Sequence, residues 1–498
     1  MLNQLPILPV LLPLIGAPIC ALLRRPLAAW LFACAVALLT FVASIALLMQ
    51  TWQQGVLVYE LGGWAAPWGI EYRIDLLNGL ILTLVSGMAS AVLLGGRASI
   101  WQETPAEKRG PFLVAFLLCL AGLQGIAATG DAFNLFVFLE ISSLSTYALV
   151  ATGRDRRALV AAYNYLIMGT IGATFILIGI GFLYMLTGTL NMTDLAERLP
   201  ALTESRTAFA AFAFIIVGVS LKLALFPLHL WLPGAYTHAS SMVTVFLAAT
   251  ATKVALYVLI RFCFSVFQLE FTSLALPLEE VFITLGIVAV FAGSLVAIYQ
   301  PDLKRGLAYS SVAQVGYMAI GIGVGTVIGL QAALIHLFNH ALMKGALFMA
   351  LAGIVYRVGN SQFSSLRGMG RQMPLTCACM LLGGLSLIGV PGTAGFISKW
   401  YLVVAVANRE HWVLVALILA GSLLTAVYVW RLVETLYLTP AAYRGDADPA
   451  AGSTEAPAGL LVVSVVLALA NVYFGLDTRL PVEAAGGAAA SLVSAGHP

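Results

Sequence analysis

Apolar runs of about 20 residues recur along the whole chain, and this feature restricts the possible folds more than any other. A run of about 20 apolar residues forms a helix long enough to span the hydrocarbon core of a bilayer. With 61% hydrophobic and 9% charged residues, the chain also has too few charges to cover a soluble surface. The sequence therefore predicts an all-α polytopic membrane protein. About fourteen transmembrane segments are expected, near 5–23, 27–50, 76–96, 111–130, 132–151, 159–186, 208–232, 241–265, 279–299, 305–325, 330–356, 374–408, 412–438 and 457–475.

The basic residues predict the orientation, because cytoplasmic loops collect Lys and Arg. If the N-terminus is outside, fifteen basic residues fall in inside connections: Arg24, Arg25, Arg97, Lys108, Arg109, Arg154, Arg156, Arg157, Lys304, Arg305, Arg357, Arg367, Arg371, Arg431 and Arg444. Only six fall outside: Arg73, Arg198, Arg206, Arg261, Arg409 and Arg479. We therefore expect a multi-pass protein of the cell (inner) membrane with both termini outside. Four lysines within apolar segments are left unexplained by topology: Lys222, Lys253, Lys344 and Lys399.

Lys222 lies in the seventh segment, within SLKLALFPLHLWLPGAYTHA. A lysine at the bilayer centre costs about 2.5–3.5 kcal/mol on insertion scales, so it usually faces a protein interior or a hydrated cavity. Proline removes a backbone donor and clashes with the preceding turn. We therefore predict that the helix is interrupted after Lys222, and we assign Pro227, His229, Pro233 and His238 to this break and its gating.

Glu140 is an acidic residue inside the fifth segment, with apolar residues before it and the hydroxyl-rich SSLST sequence after it. Burial favours the neutral forms of a carboxyl group and of an amine, whereas their mutual attraction favours the charged forms. A pair formed by Glu140 and Lys222 could therefore hold or pass a proton. The alternative is a static structural ion pair.

The eleventh segment contains His336, His340 and Lys344 at spacings of four residues, which places them on one helical face. Three titratable groups on a buried stripe could carry protons stepwise, because histidine changes charge near neutral pH. Two alternatives are open. Two histidines four residues apart could bind zinc, although no carboxylate ligand is near in the sequence. They could also be core histidines that bond to neighbouring helices.

The twelfth segment repeats the interruption, since Pro391 stands between Gly389 and Gly392, and Lys399 follows on the second part. Interrupted helices at matching positions of two halves are typical of transporters built from inverted repeats. The predicted repeats are residues 111–265 and 279–438. They are flanked by three N-terminal helices in 1–110 and by a last helix with a short tail in 457–498.

Five ordered motifs resemble the antiporter-like subunits of respiratory complex I, membrane-bound hydrogenases and Mrp-type Na⁺/H⁺ antiporters. They are FNLFVFLEISSLSTYAL, SLKLALFPLHLWLPGAYTHA, DLKRGLAYSSVAQVGYM, HLFNHALMKGALF and GVPGTAGFISKW. The resemblance covers nearly the whole chain. It implies fourteen helices with inverted five-helix repeats and a chain of charged residues across the middle of the membrane. By motif, it implies that Glu140 and Lys222 are a coupled pair and that Lys253 is a connecting lysine. It also implies that His336 and His340 form a central relay and that Lys399 is the terminal residue of the path.

Within this family, the length of the chain and Lys399 at the second break most resemble the Mrp antiporter branch, and in it the D-type subunits. The resemblance implies a proton-translocating subunit of a hetero-oligomeric Na⁺(cation)/H⁺ antiporter, whose partners are other membrane subunits, protons, Na⁺ and the lipid bilayer. A proton-pumping subunit of a redox complex is the alternative, and a scaffold whose charges only fix helix packing is a third. We expect no cofactor, no metal and no nucleic-acid partner. An enzyme in its own right is not expected either, because no nucleotide loop, flavin or cluster motif is found.

Overall fold

The computed structural model describes residues 2–153, 155–275, 277–440 and 455–494. Arg154 and Arg444, which contribute to the predicted orientation, lie outside the described residues, as do the last four residues of the predicted tail. Within the described ranges, twelve helices are long and apolar enough to cross a membrane. The predicted fold class is therefore confirmed: the chain is a polytopic all-α membrane protein.

Helices run through nearly the whole described chain. The N-terminal part comprises α1 (Leu8–Leu22), α2 (Pro26–Gln54), a hairpin of β1 (Leu57–Glu60) and β2 (Glu71–Ile74), and α3 (Leu76–Glu103). The two strands are antiparallel, with Leu57 opposite Ile74 and Glu60 opposite Glu71. Then follow α4 (Arg109–Ala128), α5 (Ala132–Ala151), α6 (Arg156–Thr187), α7 (Met192–Arg198), α8 (Arg206–Leu223), α9 (Trp231–His238), α10 (Ser241–Ile260) and α11 (Gln268–Ala275).

The C-terminal half of the chain is also helical. It comprises α12 (Leu278–Tyr299), α13 (Leu303–Gly323), α14 (Val327–Val358), α15 (Met369–Gln372), α16 (Pro374–Ile388), α17 (Ala394–Ala407), α18 (Trp412–Val433), α19 (Ala458–Leu476) and α20 (Arg479–Ser494). Two of the fourteen predicted segments are not among the twelve long apolar helices. One is α13, whose first turn contains Lys304 and Arg305, and the other is the interrupted pair α16 and α17.

Three helices form the centre of the bundle. Helix α10 packs against α3, α8 and α14, and nearly all of its side chains are buried. Most of α3 and α14 is buried as well, whereas fewer than half of the residues in the most apolar stretches of α6, α12, α18 and α19 are buried. A helix that is buried on all sides turns its polar residues toward protein, not lipid. The lysines and histidines of α10 and α14 therefore lie inside the bundle.

The two predicted repeats share a local motif at corresponding places. Asp131 accepts a hydrogen bond at the start of α5 and forms a β-bridge with Asn191, which follows α6. Asp302 accepts a hydrogen bond at the start of α13 and forms a β-bridge with Gln362, which follows α14. Each half also ends in an interrupted helix and one further long helix. We propose from these matches that 111–265 and 279–438 are five-helix repeats of opposite orientation.

Two glycines allow α6 and α8 to pack closely beside Lys222. A Cβ atom on Gly218 would lie 2.5 Å from the carbonyl oxygen of Gly172. We expect Gly218→Val to separate the helices and to cost about 1–3 kcal/mol of stability. A lower thermal unfolding midpoint in mild detergent would show this. Gly181→Val on α6 is the matched control, since a Cβ there meets nothing within 4 Å; equal losses for both variants would contradict the packing argument.

Candidate functional site

The first helix break lies directly after Lys222. Helix α8 ends at Leu223, and Ala224 has a φ of 59°, a left-handed conformation that a residue with a side chain rarely adopts. The indole of Trp231 donates a hydrogen bond to the carbonyl oxygen of Leu221 at 2.9 Å, which satisfies one acceptor freed by the break. Because the C-terminal end of a helix carries a partial negative charge, it stabilises a cationic lysine in its last turn.

The predicted break is confirmed, but one of its prolines is not part of it. Pro227 and His229 lie between α8 and α9, whereas Pro233 lies in the first turn of α9. A proline is tolerated there because the backbone N–H groups of the first turn have no partner within the helix. His238 is the last residue of α9, and its Nδ1 lies 4.0 Å from Asp155 Oδ2. The second break, between α16 and α17, contains Pro391 as predicted.

The structure brings Glu140 and Lys222 together across α5 and α8. The Lys222 Nζ lies 3.8 Å from Glu140 Oε1 and donates a shorter hydrogen bond, 2.8 Å, to the Ser143 hydroxyl. Glu140 Oε1 is buried and has no hydrogen-bond partner among the described residues. The pair is therefore in contact but not tightly bonded, and the hydroxyl gives the ammonium an alternative partner.

A cavity of ≈ 40 Å³ adjoins Lys222 on the side that faces α10. Hydroxyl groups of Ser142, Ser143 and Thr146 line it from α5, and apolar side chains line it from α10. A space above roughly 10–15 Å³ holds a water molecule if polar groups are within reach. The cavity is thus large and polar enough for water to carry protons beside Lys222.

Lys253 lies at the centre of the protein on α10 and is 1% exposed. Its Nζ donates to the Ala248 carbonyl at 2.5 Å and to Thr252 Oγ1 at 3.4 Å. No carboxylate lies within ion-pair distance of it in the described part of the chain. Helix α10 packs against both α8 and α14, so the helix that carries Lys253 lies between Lys222 and the histidines of α14.

The histidines of α14 form the buried stripe that their spacing predicts. The rings of His336 and His340 lie nearly parallel, with centroids 5.9 Å apart. His336 contacts Ser398 Oγ through Nδ1 at 2.8 Å and Gln314 Oε1 through Nε2 at 3.0 Å. His340 is fully buried, and neither ring nitrogen has a hydrogen-bond partner among the described residues. The alternative of ordinary core histidines therefore fits His336 but not His340, since buried ring nitrogens are normally paired.

Lys344 and Lys399 are held by oxygens of neutral groups. Lys344 Nζ donates to the Leu307 carbonyl at 2.7 Å and to Ser310 Oγ at 2.5 Å. Lys399 Nζ donates to the carbonyls of Leu387 and Ile388 at 3.0 and 2.9 Å, and to Ser422 Oγ at 3.1 Å. Neutral acceptors can bind either a lysine cation or, through a rotated amine, the uncharged form. Both lysines can therefore change protonation state without leaving an unpaired carboxylate.

Each break has a lysine beside it, although the sequence does not align the two lysines. Lys222 is in the last turn of α8, whereas Lys399 belongs to α17 and reaches back to the last carbonyls of α16. A Cβ on Gly395 would lie 1.8 Å from the Ser386 carbonyl oxygen, so glycine permits this close approach of α17 to α16. The Lys399 ammonium thus lies at the negative end of α16, whereas the Lys222 ammonium contacts Ser143 and Glu140 of α5.

Water-accessible cavities lie at both faces of the bundle. One of ≈ 510 Å³ lies at the face with the arginine-rich loops and is lined by Glu103, Asp155, His238 and Lys304, among others. Another of ≈ 470 Å³ lies at the opposite face, where Arg261 Nη2 contacts Asp75 Oδ2 at 2.5 Å. The buried groups therefore lie between two polar openings.

Sequence reasoning missed the neutral partners of the relay and one buried arginine. Ser143 contacts Lys222, and Gln314 and Ser398 contact His336. The hydroxyl-rich run after Glu140 was the available sequence signal for Ser143. Arg261, assigned to an outside loop by topology, is 11% exposed and contacts α3. No local pattern distinguishes it from a loop arginine. In the described part of the chain, no three His, Cys, Asp or Glu side chains come together in the way a metal ion requires.

His340 offers a direct test of the stripe. We expect His340→Phe, which keeps an aromatic ring but removes both nitrogens, to lower proton movement by at least about tenfold, since a positioned acid–base group contributes this much or more. The measurement is the initial rate of proton flux per assembled complex in vesicles. His411→Phe serves as the control, because His411 is exposed and pairs with Glu279 outside the stripe. An unchanged rate for His340→Phe would remove this histidine from the path.

The sequence between residues 129 and 425 matches the family described as NADH:quinone oxidoreductase/Mrp antiporter, TM. This stretch contains both helix breaks and all the lysines and histidines of the candidate site. The chain belongs to this family. A member from Desulforudis audaxviator, NADH-quinone oxidoreductase subunit N, is 44% identical over 96% of both chains.

Other members of the NADH:quinone oxidoreductase/Mrp antiporter family are similar over most of this chain. The D-type subunit of the Na⁺/H⁺ antiporter of Alkalihalophilus pseudofirmus is 31% identical over 85% of both chains. A solved structure, the membrane-bound sulfane sulfur reductase, an archaeal respiratory membrane complex, contains a chain that is 30% identical. It superposes with a TM-score of 0.88 over 98% of both chains. The resemblance inferred from the five motifs is therefore confirmed.

Proposed function

We propose that this chain carries protons across the cell membrane as one subunit of a larger membrane complex. The observation that supports this most is the set of buried ionisable groups that runs from α5 through α8, α10 and α14 to α17. Intramembrane ionisable groups are costly and usually mark ion or proton pathways. We assign the pathway to Glu140, Lys222, Lys253, His336, His340, Lys344 and Lys399. We assign the gating to Pro227 and His229 in the first break, His238 at the end of α9, and Pro391 in the second break.

The proton steps follow from the charges of neighbouring groups. While Glu140 is ionised and near, it stabilises the protonated form of Lys222. When Glu140 is neutralised or moves away, burial favours the neutral amine, and the proton leaves through the adjoining polar cavity. Lys253 and the α14 groups repel one another when charged, so a proton that arrives at one favours release from the next.

The first candidate for the driving process is cation/proton exchange. Lys399 at the second break favours the antiporter branch, and one relative that matches 85% of this chain is named as a subunit of a Na⁺/H⁺ antiporter. In this proposal the chain moves protons, and the coupled cation, Na⁺ in the simplest case, moves through a neighbouring subunit. The chain would then be a secondary transporter subunit without a cofactor of its own.

Redox-driven proton pumping is a second candidate, favoured by a specific observation. The relative named NADH-quinone oxidoreductase subunit N is 44% identical, a higher value than that of the antiporter relative. In this case electron transfer in another subunit would drive the same groups. The proton pathway is common to both candidates, so the geometry of Glu140, Lys222 and Lys399 serves either process.

Glu140 also supports the proposal of a multisubunit complex. Its side chain is 29% exposed at the surface of α5, between exposed apolar side chains such as Val137 and Leu144. A carboxylate at this depth is costly if it faces lipid. We therefore propose that another membrane subunit covers this face. In that assembly both termini of this chain lie on the outer side of the cell membrane.

Everted vesicles that lack native antiporters provide the test. We would measure ΔpH dissipation on addition of Na⁺ for this chain alone and for this chain with its co-purifying membrane subunits. Exchange only in the full assembly is the result we expect for an antiporter subunit. Proton uptake that requires an electron donor and ignores Na⁺ would establish the redox candidate instead. An assembly that moves no protons under either drive would leave only the scaffold interpretation.

A further inference from the structure

An open cavity of ≈ 630 Å³ lies where α2, α3, α4, α14 and α19 meet, away from the ionisable groups described above. Two arginines, Arg97 and Arg109, and two tryptophans, Trp30 and Trp101, line it. Its other lining residues are Leu, Gly, Ala, Gln and Tyr, so no described residue in its wall is acidic. The cavity therefore has a net positive charge in an otherwise apolar surface.

Each guanidinium group lies against an aromatic face, and Arg109 also donates hydrogen bonds to two backbone carbonyls, from Nη2 to Trp101 at 2.8 Å and from Nε to Thr104 at 3.4 Å. The Arg97 guanidinium lies 5.4 Å from the centroid of the Trp30 ring, and that of Arg109 lies 5.3 Å from the centroid of Trp101. The two indoles are perpendicular to each other, with centroids 6.5 Å apart. Neither arginine forms an ion pair within the described residues. Cation–π contacts position both charges without neutralising them.

The position of the cavity matches the membrane–water interface. Trp30 is near the start of α2, Arg97 and Trp101 are near the end of α3, and Arg109 begins α4. Tryptophan is enriched at this level of membranes. Leu94, one turn before Arg97 on α3, is 43% exposed and continues the wall toward the hydrocarbon core. A ligand with a polar head and an apolar tail fits both parts of this surface.

We propose that this cavity binds an anionic phospholipid of the adjacent leaflet. The phosphate group lies between Arg97 and Arg109 and accepts charge-assisted hydrogen bonds from guanidinium N–H groups, of which Arg109 offers those on Nη1, since its Nε and Nη2 bond to backbone carbonyls. The glycerol lies against the two indoles, and an acyl chain follows the apolar wall at Leu94. Uncompensated positive charge favours a lipid with net negative charge over a zwitterionic one. This inference is independent of which process drives the protons.

Native mass spectrometry of the purified assembly tests the proposal. Dioleoyl phosphatidylglycerol is titrated against the wild type, Arg97→Gln, and the double variant with Arg109→Gln, with dioleoyl phosphatidylcholine as the zwitterionic probe. We expect about a fivefold loss of phosphatidylglycerol affinity for each arginine removed, and little change for phosphatidylcholine. Arg367→Gln is the matched control, since Arg367 is an exposed arginine at the same face that does not line the cavity.

Each other outcome would overturn the proposal. Equal phosphatidylglycerol binding by wild type and both cavity variants would show that the lipid binds elsewhere. Displacement of the lipid by millimolar inorganic phosphate would show a simple phosphate site. Cross-links from Arg97→Cys to another subunit, together with unaltered lipid binding, would show that protein covers the cavity.

Discussion

Lys222→Gln lowers proton flux through the assembled complex by at least about 100-fold, the expected effect of removing a positioned proton-transfer group. The amide keeps hydrogen bonding to Ser143 but cannot take up a proton at physiological pH. The helix break and the Trp231 hydrogen bond to the backbone do not depend on the Lys222 side chain, so assembly is retained. The measurement is ΔpH dissipation per assembled complex, under whichever drive the wild type uses.

Lys222→Arg distinguishes between two roles of Lys222, a proton carrier and one member of a static ion pair. Arginine retains the positive charge beside Glu140 but stays protonated in proteins, so it cannot release a proton to the adjoining cavity. We expect assembly near the wild-type level and flux as low as in Lys222→Gln. Flux near the wild-type level with arginine would instead support the structural ion pair. Lys108→Gln, at an exposed lysine in the loop before α4, controls for a general effect of lost charge.

Lys399→Gln should also lower proton flux by about 100-fold, because in the proposed path protons leave the membrane through the second helix break. The Lys399 ammonium binds the last carbonyls of α16 and the Ser422 hydroxyl, and an amide retains only part of this bonding. Ser422→Ala, which removes one acceptor and keeps the titratable amine, is expected to change flux only slightly. Equal losses in these two variants would point to disturbed packing of the break and not to a missing proton carrier.

The double variant of Lys222→Gln and Lys399→Gln distinguishes one path from two. If both lysines act in series, the double variant is hardly slower than either single variant, because one interruption already stops the flow. If each half of the chain conducts independently, each single variant retains about half of the wild-type flux, and only the double variant is inactive. The second pattern would contradict the continuous row of groups proposed above.

Several features of the fold could be predicted from the sequence because they depend on local physics. Apolar length determines which segments can cross a bilayer, and proline and glycine determine where a helix stops. The break near Pro227 and the break at Pro391 follow from these rules. Spacings of four residues placed His336, His340 and Lys344 on one face of α14, since helix geometry alone fixes that relation. Pro233 was misjudged because the same residue is harmless in a first turn.

Contacts between distant segments could not be predicted in this way. The Lys222 hydrogen bond to Ser143 spans 79 positions, and the His336 contact with Gln314 depends on how α13 packs against α14. Residue order also did not show that Lys399 reaches back across Gly395 to the end of α16. Side-chain length and helix packing, not spacing, produce that contact.

The sequence by itself determined that this chain is a membrane protein with interrupted helices and buried charges. These features depend on the hydrophobicity and backbone geometry of residues that are close together in the chain. The tertiary structure alone decided which neutral oxygens hold each lysine, that the His340 ring nitrogens have no hydrogen-bond partner among the described residues, and where Arg97 and Arg109 contact the tryptophans. Those contacts depend on how the bundle packs in three dimensions, and packing joins residues that are far apart in the chain.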